Sequence, residues 1–243
     1  MSAFTLVRLL PLSLGLNGSA ANAEILALSL EHSGHDAHIV DVHRVGDAPA
    51  EVDAVCVGSG SASSMRPAAA QLIPLLGLVN LWRAQGAFFL AVGTGWDLLG
   101  VSVTTPEGEV LPGAGIFPSE ADHQSTRFSG EVAGVDFRGR PSAGYVNQVG
   151  AVTLHEGGKS LMRVEGPQSG YPREEGLIAK GLLGTRLGGP ALALNPHWCD
   201  DISQNVLEKR GESRHTAEFH NRVANAAAQA RTGIERRLGI SRG

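Results

Sequence analysis

Cysteine is scarce in this chain of 243 residues: only Cys56 and Cys199 occur. Two cysteines cannot build a disulfide scaffold. Apolar runs of the roughly 18 residues that a membrane helix needs are also lacking. There is no basic excess. Net charge is −4 and the pI about 6.1, so no electrostatic case exists for nucleic acid or an anionic membrane as a main partner. Lysine is nearly absent, 3 residues against 17 arginines. That imbalance fits a GC-rich genome better than a function. Aromatics make up only 5%, yet 42% of the residues are hydrophobic, which is enough for a real core and excludes a disordered chain. The length suits one ordinary α/β domain, expected here over 1–243.

The first 23 residues end in Ala21-Asn22-Ala23 and superficially resemble a secretory signal. Arg8 sits where the apolar centre of a signal should begin, and Pro11 and Gly15 interrupt the run. The better reading is a strand over Phe4 to Leu10, a loop over Pro11 to Gly18, and a helix from about Ala20 to Ser33. Glu24, Leu28 and Glu31 share one side of that helix, with Ile25, Leu26, Ser29 and Leu30 on the other. Gly34 stops it. Retention of the segment and two unpaired thiols imply a cytoplasmic site.

Further along, Ala37 to His43 alternates like a strand. Asp53 to Gly58 and Ala87 to Val92 are continuous apolar runs, as in parallel strands buried on both faces. A loop from Ser59 to Pro67 and a helix from Ala68 to Gln85 separate them. This succession predicts a doubly wound, mostly parallel sheet with helices on both faces. Sites in such sheets lie at the carboxyl ends of strands, here the loops at 11–19, 58–66 and 93–97. Short β-like runs at 109–117, 127–137, 143–154 and 161–164 read as antiparallel additions, and 202–238 reads as helical.

Leu90 to Gly100 has the form of a nucleophile elbow, in which a strand turns sharply into a helix and presents one residue at the turn. The tip is Gly93, which carries no side chain; Thr94 is the nearest hydroxyl. Gly58-Ser59-Gly60-Ser61 offers backbone N–H groups to an anion but lacks the lysine and spacing of a P-loop. His32, His35, His38 and His43 straddle a helix end and need not converge, so no metal is expected. His215 and His220 do not form the H-E-x-x-H pattern. His197 and Cys199 are two apart on a helix and do not face each other.

Taken together, several stretches resemble the glutaminase subunit of lipid II isoglutaminyl synthase (GatD-like), a CobB/CobQ-like relative of the cobyric acid synthase glutaminases with a class I glutamine amidotransferase fold. Leu14-Gly-Leu-Asn17 with Asn22 is similar to the family's first loop. Asp53 to Gly60 is similar to its strand ending in G-G-G, and Ala91 to Gly100 to x-x-C-G-G-Y-Q-L-L-G. Glu107 to Ile116 resembles the D-G-x-x-x-x-G-L-G-I hairpin, Thr126 to Gly130 resembles N-R-L-T-G, and Gly144 to Asn147 resembles G-F-E-N. Gly184 to Pro190 resembles G-T-Y-L-H-G-P, followed by Asn195-Pro196. The resemblance runs in order from about 5 to 230.

The family's chemistry uses a cysteine thiolate on the glutamine amide, a histidine as acid and base, and backbone N–H groups for the oxyanion. The resemblance sets Gly93 at the cysteine position and Gly188 at the histidine position. Gln148 stands for a further histidine, Asp97 for the glutamine after the elbow, and Ala62 for an aspartate. Arg127, at a glutamine-binding position, is kept, as are Gly60 and Gly95. Losing nucleophile and base removes on the order of 10⁴- to 10⁶-fold of rate. The expectation is a catalytically inactive glutaminase-like subunit, without cofactor or metal, that partners an ATP-dependent Mur-ligase-like amide-forming subunit in peptidoglycan glutamate amidation. Two alternatives stand beside it: an active subunit that uses Thr94, and a sensor that holds glutamine or another carboxylate through Arg127, Gly60, Thr94 and Gly95.

Overall fold

The computed structural model describes residues 3–166 and 170–241. Residues 1–2, 167–169 and 242–243 of the expected single domain lie outside this description. The chain runs β1 (Phe4–Leu9), α1 (Asn22–His32), β2 (Ala37–Val42), β3 (Ala54–Val57), α2 (Ala62–Leu72), α3 (Leu76–Ala84), β4 (Phe88–Val92) and α4 (Thr94–Leu99). It continues through β5 (Ser102–Thr104), β6 (Val110–Pro112), β7 (Ser119–Asp136), β8 (Pro141–Leu154), β9 (Met162–Glu165), β10 (Glu174–Glu175), β11 (Leu177–Ala179) and β12 (Leu182–Thr185). The helices α5 (Ala191–Leu194), α6 (Pro196–Lys209) and α7 (Glu218–Arg237) complete it.

The first sheet has the order β11-β12-β4-β3-β1-β2. All its pairs are parallel except β11 with β12. Strand β1 is thus an interior strand, and the stretch that superficially resembles a secretory signal forms part of the core. Alternate residues of β1, β3 and β4 feed two apolar layers. Val7, Val55 and Phe89 pack with Met65, Leu72 and Trp82 from the α2–α3 side. Leu6, Cys56 and Leu90 pack with Leu26, Leu30, Trp198 and Ile202 from α1 and α6. Burial on both faces is the physical reason that β3 and β4 read as unbroken apolar runs.

The antiparallel additions do not extend this sheet, apart from β11. They form a second six-stranded sheet of order β10-β9-β7-β5-β6, with β8 paired to β7. Within it β5 and β7 are parallel. Val103 and Ala121 of this second sheet, with Phe117 from the turn before β7, share an apolar cluster with the first.

Three boundaries differ from the sequence expectation. The helix expected over 68–85 begins earlier, at Ala62, because the Ser61 hydroxyl accepts the Ser64 N–H and caps it. It then breaks at Ile73–Leu75, where Pro74 lacks an N–H and crowds the preceding turn. The helix expected over 202–238 is two helices. Pro196 opens the first at a position that needs no N–H donor, and Gly211 lies between them. The run expected over 109–117 pairs only at Val110–Pro112.

Candidate functional site

Register brings the expected loops together. Val57 pairs with Ala91 and Thr185 with Val92, so β3, β4 and β12 end level, and the residues that follow each strand meet at the carboxyl edge. At the end of β4 the chain turns through Gly93 with φ 51° and ψ −123°. Gly93 N–H donates to Thr185 O at 2.8 Å, and Asp97 N–H donates to Gly93 O at 3.0 Å. An L-residue held at this positive φ carries about 1–3 kcal/mol of strain. The turn therefore has the backbone of a nucleophile elbow.

Neighbouring side chains occupy the space in front of the elbow. A Cβ built at Gly93 would run into Gln148 Nε2, and would lie 2.5 Å from Ser59 Oγ and 3.0 Å from Ser59 Cβ. The Ser59 hydroxyl accepts from Gln148 Nε2 at 3.1 Å and from the Thr94 N–H at 3.4 Å. That N–H is the amide an oxyanion would use at such an elbow. Ser59 is itself fixed: its N–H donates to Ser19 Oγ at 2.8 Å and its carbonyl accepts from Leu16 N–H at 2.9 Å.

Two cavities flank this plug and share Leu16, Asn17, Asn147 and Gln148. The smaller, about 200 Å³, is also lined by Gly60, Ala62, Thr94, His123 and Arg127. The larger, about 340 Å³, includes Ser59, Tyr145 and Gly188. Arg127 is exposed, and its Nη1 donates to Asn147 Oδ1 at 2.9 Å. The Thr94 hydroxyl donates to Gly60 O at 3.1 Å. Gly188 N–H donates to Tyr145 O at 2.7 Å, and a Cβ there would meet only that oxygen, at 3.4 Å. Thus Arg127, Gly60 and Thr94 share one cavity and Gly188 faces the adjoining one. Gly95 is elsewhere: it lies buried against Gly58 O and Val57 and lines neither cavity. Its lack of a side chain lets α4 approach β3.

Behind the smaller cavity lies a buried polar network. Asp97 accepts from His123 Nε2 at 2.9 Å and from Arg186 Nη2 at 3.2 Å. Burial pushes the Asp97 carboxyl up, but the Arg186 charge and the His123 hydrogen bond outweigh it and hold it below its ordinary range. Arg186 Nη1 donates to Val149 O and Gly150 O, each at 2.8 Å. Its own N–H donates to Glu175 at 2.9 Å, and Glu175 also accepts from Thr185 Oγ1 at 2.5 Å and Tyr171 OH at 2.9 Å. For Glu175 burial wins, and its carboxyl is pushed up.

Sequence reasoning passed over Ser59, His123 and Arg186 as site residues. The glycine-flanked loop contained Ser59, and the matched stretch at 184–190 contained Arg186, so both carried a local signal. His123 carried none. The β7–β8 ladder shifts register between Asp122 and Arg127, and His123 lies in that break.

The CobB/CobQ-like glutamine amidotransferase domain matches this chain over residues 22–195. The chain belongs to that family. The CobB/CobQ-like domain is 27% identical over 184 residues to the lipid II isoglutaminyl synthase (glutamine-hydrolyzing) subunit GatD of Staphylococcus aureus (strain N315), covering 74% of each chain. In fold it matches a glutamine amidotransferase crystal structure at 14% identity and TM-score 0.55, over 81% of this chain and 98% of the other. It also matches PurLQS from Thermotoga maritima at 11% identity and TM-score 0.51, over 85% of this chain and 99% of the other.

Neither thiol of this CobB/CobQ-like domain replaces a side chain at the elbow. Cys56 lies in β3, Cys199 in α6, and both are buried. Burial pushes each up to about 12, where almost no thiolate exists at neutral pH. Both are expected to resist iodoacetamide in the native protein and to react fully in denaturant; mass spectrometry of the alkylated chain checks this, and rapid native labelling of either would show an accessible thiol. Among the described residues no group of three or more His, Cys, Asp or Glu could hold a metal, and no helix is long and apolar enough to cross a membrane.

Proposed function

We propose that this domain is a glutaminase-like subunit of the lipid II isoglutaminyl synthase type that does not hydrolyse glutamine. In this reading it acts as the structural or regulatory partner of an ATP-dependent Mur-ligase-like subunit, which amidates peptidoglycan glutamate with ammonia from another source. One observation carries the reading: the residue at the tip of the elbow is Gly93, at φ 51°, where an attacking group would be presented and none exists. The filling of that space by Ser59 and Gln148 supports it, as does the openness at Gly188, where the resemblance puts a base. The likeness to the S. aureus subunit supports the partnership.

The purified protein is expected to release no ammonia from L-glutamine above the buffer background, and to co-purify with a Mur-ligase-like protein encoded beside it. A monodisperse monomer that ignores such a protein would sink the partnership. Ammonia release that disappears in Thr94→Ala would instead establish an active site built on the Thr94 hydroxyl, which lines the smaller cavity.

A further inference from the structure

The cavity of about 340 Å³ beside Gly188 has no charged side chain among its described lining residues. Three carboxamides line it instead, those of Asn17, Asn147 and Gln148. Each keeps polar capacity unused. Arg127 only donates, so its contact turns Asn147 Oδ1 toward it and leaves Asn147 Nδ2 without a partner among the described residues. Gln148 Nε2 donates to Ser59, which leaves its Oε1 open. Asn17 stands at φ 56°, a left-handed conformation that asparagine tolerates, and its carboxamide makes no hydrogen bond among the described residues. Donors and acceptors therefore line the same space, and a hydroxyl answers both. Tyr145 and Gly188 also belong to the wall of a second hollow, a groove of about 530 Å³. Leu187, Pro190 and Leu194 line it together with Val223, Ala226 and Ala230 of α7. Its one charged lining residue among those described, Glu131, is ion-paired with Arg237.

We propose that cavity and groove form one site for a neutral amphiphile, with a hydroxyl-rich head the size of a sugar ring among Asn17, Asn147 and Gln148 and an apolar chain along the groove past Tyr145. Charge decides against other amphiphiles. An anionic or cationic head would find no counter-ion in the cavity and would lose hydration without compensation. A wholly apolar ligand would leave the carboxamides covered and unmet. The cavity's volume suits a ring-sized head, and the shared wall at Tyr145 and Gly188 lets one molecule reach both hollows. The site requires neither glutamine hydrolysis nor a partner subunit. Ammonia release tests the earlier reading, and binding tests this one.

Isothermal titration of the full chain with hexyl β-D-glucopyranoside, methyl β-D-glucopyranoside and hexyl sulfate, each below its micelle-forming concentration, separates head from chain. The hexyl glucoside is expected to bind in the millimolar range and at least about tenfold more tightly than the methyl glucoside, because its methylenes leave water in the groove. It should also exceed hexyl sulfate by at least about tenfold, since the sulfate meets no cation in the cavity. Ala226→Glu, at an exposed position of α7, should close the first gap. Asn17→Gly, which keeps the positive φ, should narrow the second. Equal binding of the two glucosides, equal binding of the two hexyl compounds, gaps that persist in these variants, or no binding of the hexyl glucoside at millimolar concentration would overturn the proposal. In the last case, loss of a co-purifying Mur-ligase-like protein from Ala226→Glu would assign the groove to a protein interface instead.

Discussion

A Gly93→Cys, Gly188→His double variant is expected to release no ammonia from glutamine, and the triple variant that adds Ser59→Gly is expected to release it. The double variant supplies a thiol and an imidazole, and the backbone at Gly93 already has the elbow geometry. Space is what it lacks. A Cβ at 93 would sit 2.5 Å from Ser59 Oγ and 3.0 Å from Ser59 Cβ. The Gln148 amide, also in the way, is the far end of a flexible side chain and can swing aside. Ser59 Cβ cannot, because its backbone is held on both sides by Ser19 and Leu16. The Ser59 hydroxyl also caps the Thr94 amide, so removing it vacates the volume and frees an oxyanion donor in one change. A gain on the order of 10²- to 10⁴-fold over the double variant is the scale associated with restoring such a unit. Activity in the double variant equal to that in the triple would show that Ser59 does not obstruct the site. At position 188 no comparable obstacle exists.

Asp97→Ala is expected to destabilise the protein by about 3–5 kcal/mol, the range for removing one partner of a buried ion pair. In a chain of this size that corresponds to a loss of roughly 6–20 °C in Tm, read by calorimetry or thermal fluorescence. The substitution strips Arg186 and His123 of a common acceptor in a place closed to water. Glu175→Gln provides the contrast and should change stability far less. Its carboxyl, pushed up by burial, is already disposed toward the neutral form. The two groups also have opposite pH signs. Asp97 has a lowered folded pKa, so its stabilisation is complete above the ordinary value of about 3.9 and is lost as pH falls through its folded value. Glu175 has a raised folded pKa, so its contribution is greatest below its ordinary value of about 4.3 and declines as pH rises through its folded value. Asp97→Ala should accordingly flatten the acid limb of the stability profile. An unchanged acid limb and a Tm loss under about 2 °C would refute the assignment of Asp97 as an anchor.

Much of the first sheet was legible in the residues. The apolar runs ending at Val57 and Val92 could be read because those strands are buried on both faces, and burial on both faces removes the polar alternation. The loops at 11–19, 58–66 and 93–97 followed from the rule that parallel strands deliver sites at their carboxyl ends, and residues from each line the smaller cavity. The second sheet was only half legible. Its strands β5 and β10 are 3 and 2 residues long, too short for a period to register against their neighbours.

By itself the sequence determined which residues can be buried and where the turns must fall, because periodicity and glycine placement act over a few neighbouring positions. It determined that the elbow tip has no side chain. Only the tertiary structure decided what fills the space in front of it, since Ser59 and Gln148 reach that point from positions 89 residues apart. Only the tertiary structure paired Asp97 with His123 across 26 residues and with Arg186 across 89. Such pairs leave no local pattern, because they depend on the alignment of strand ends and on one break in the β7–β8 ladder.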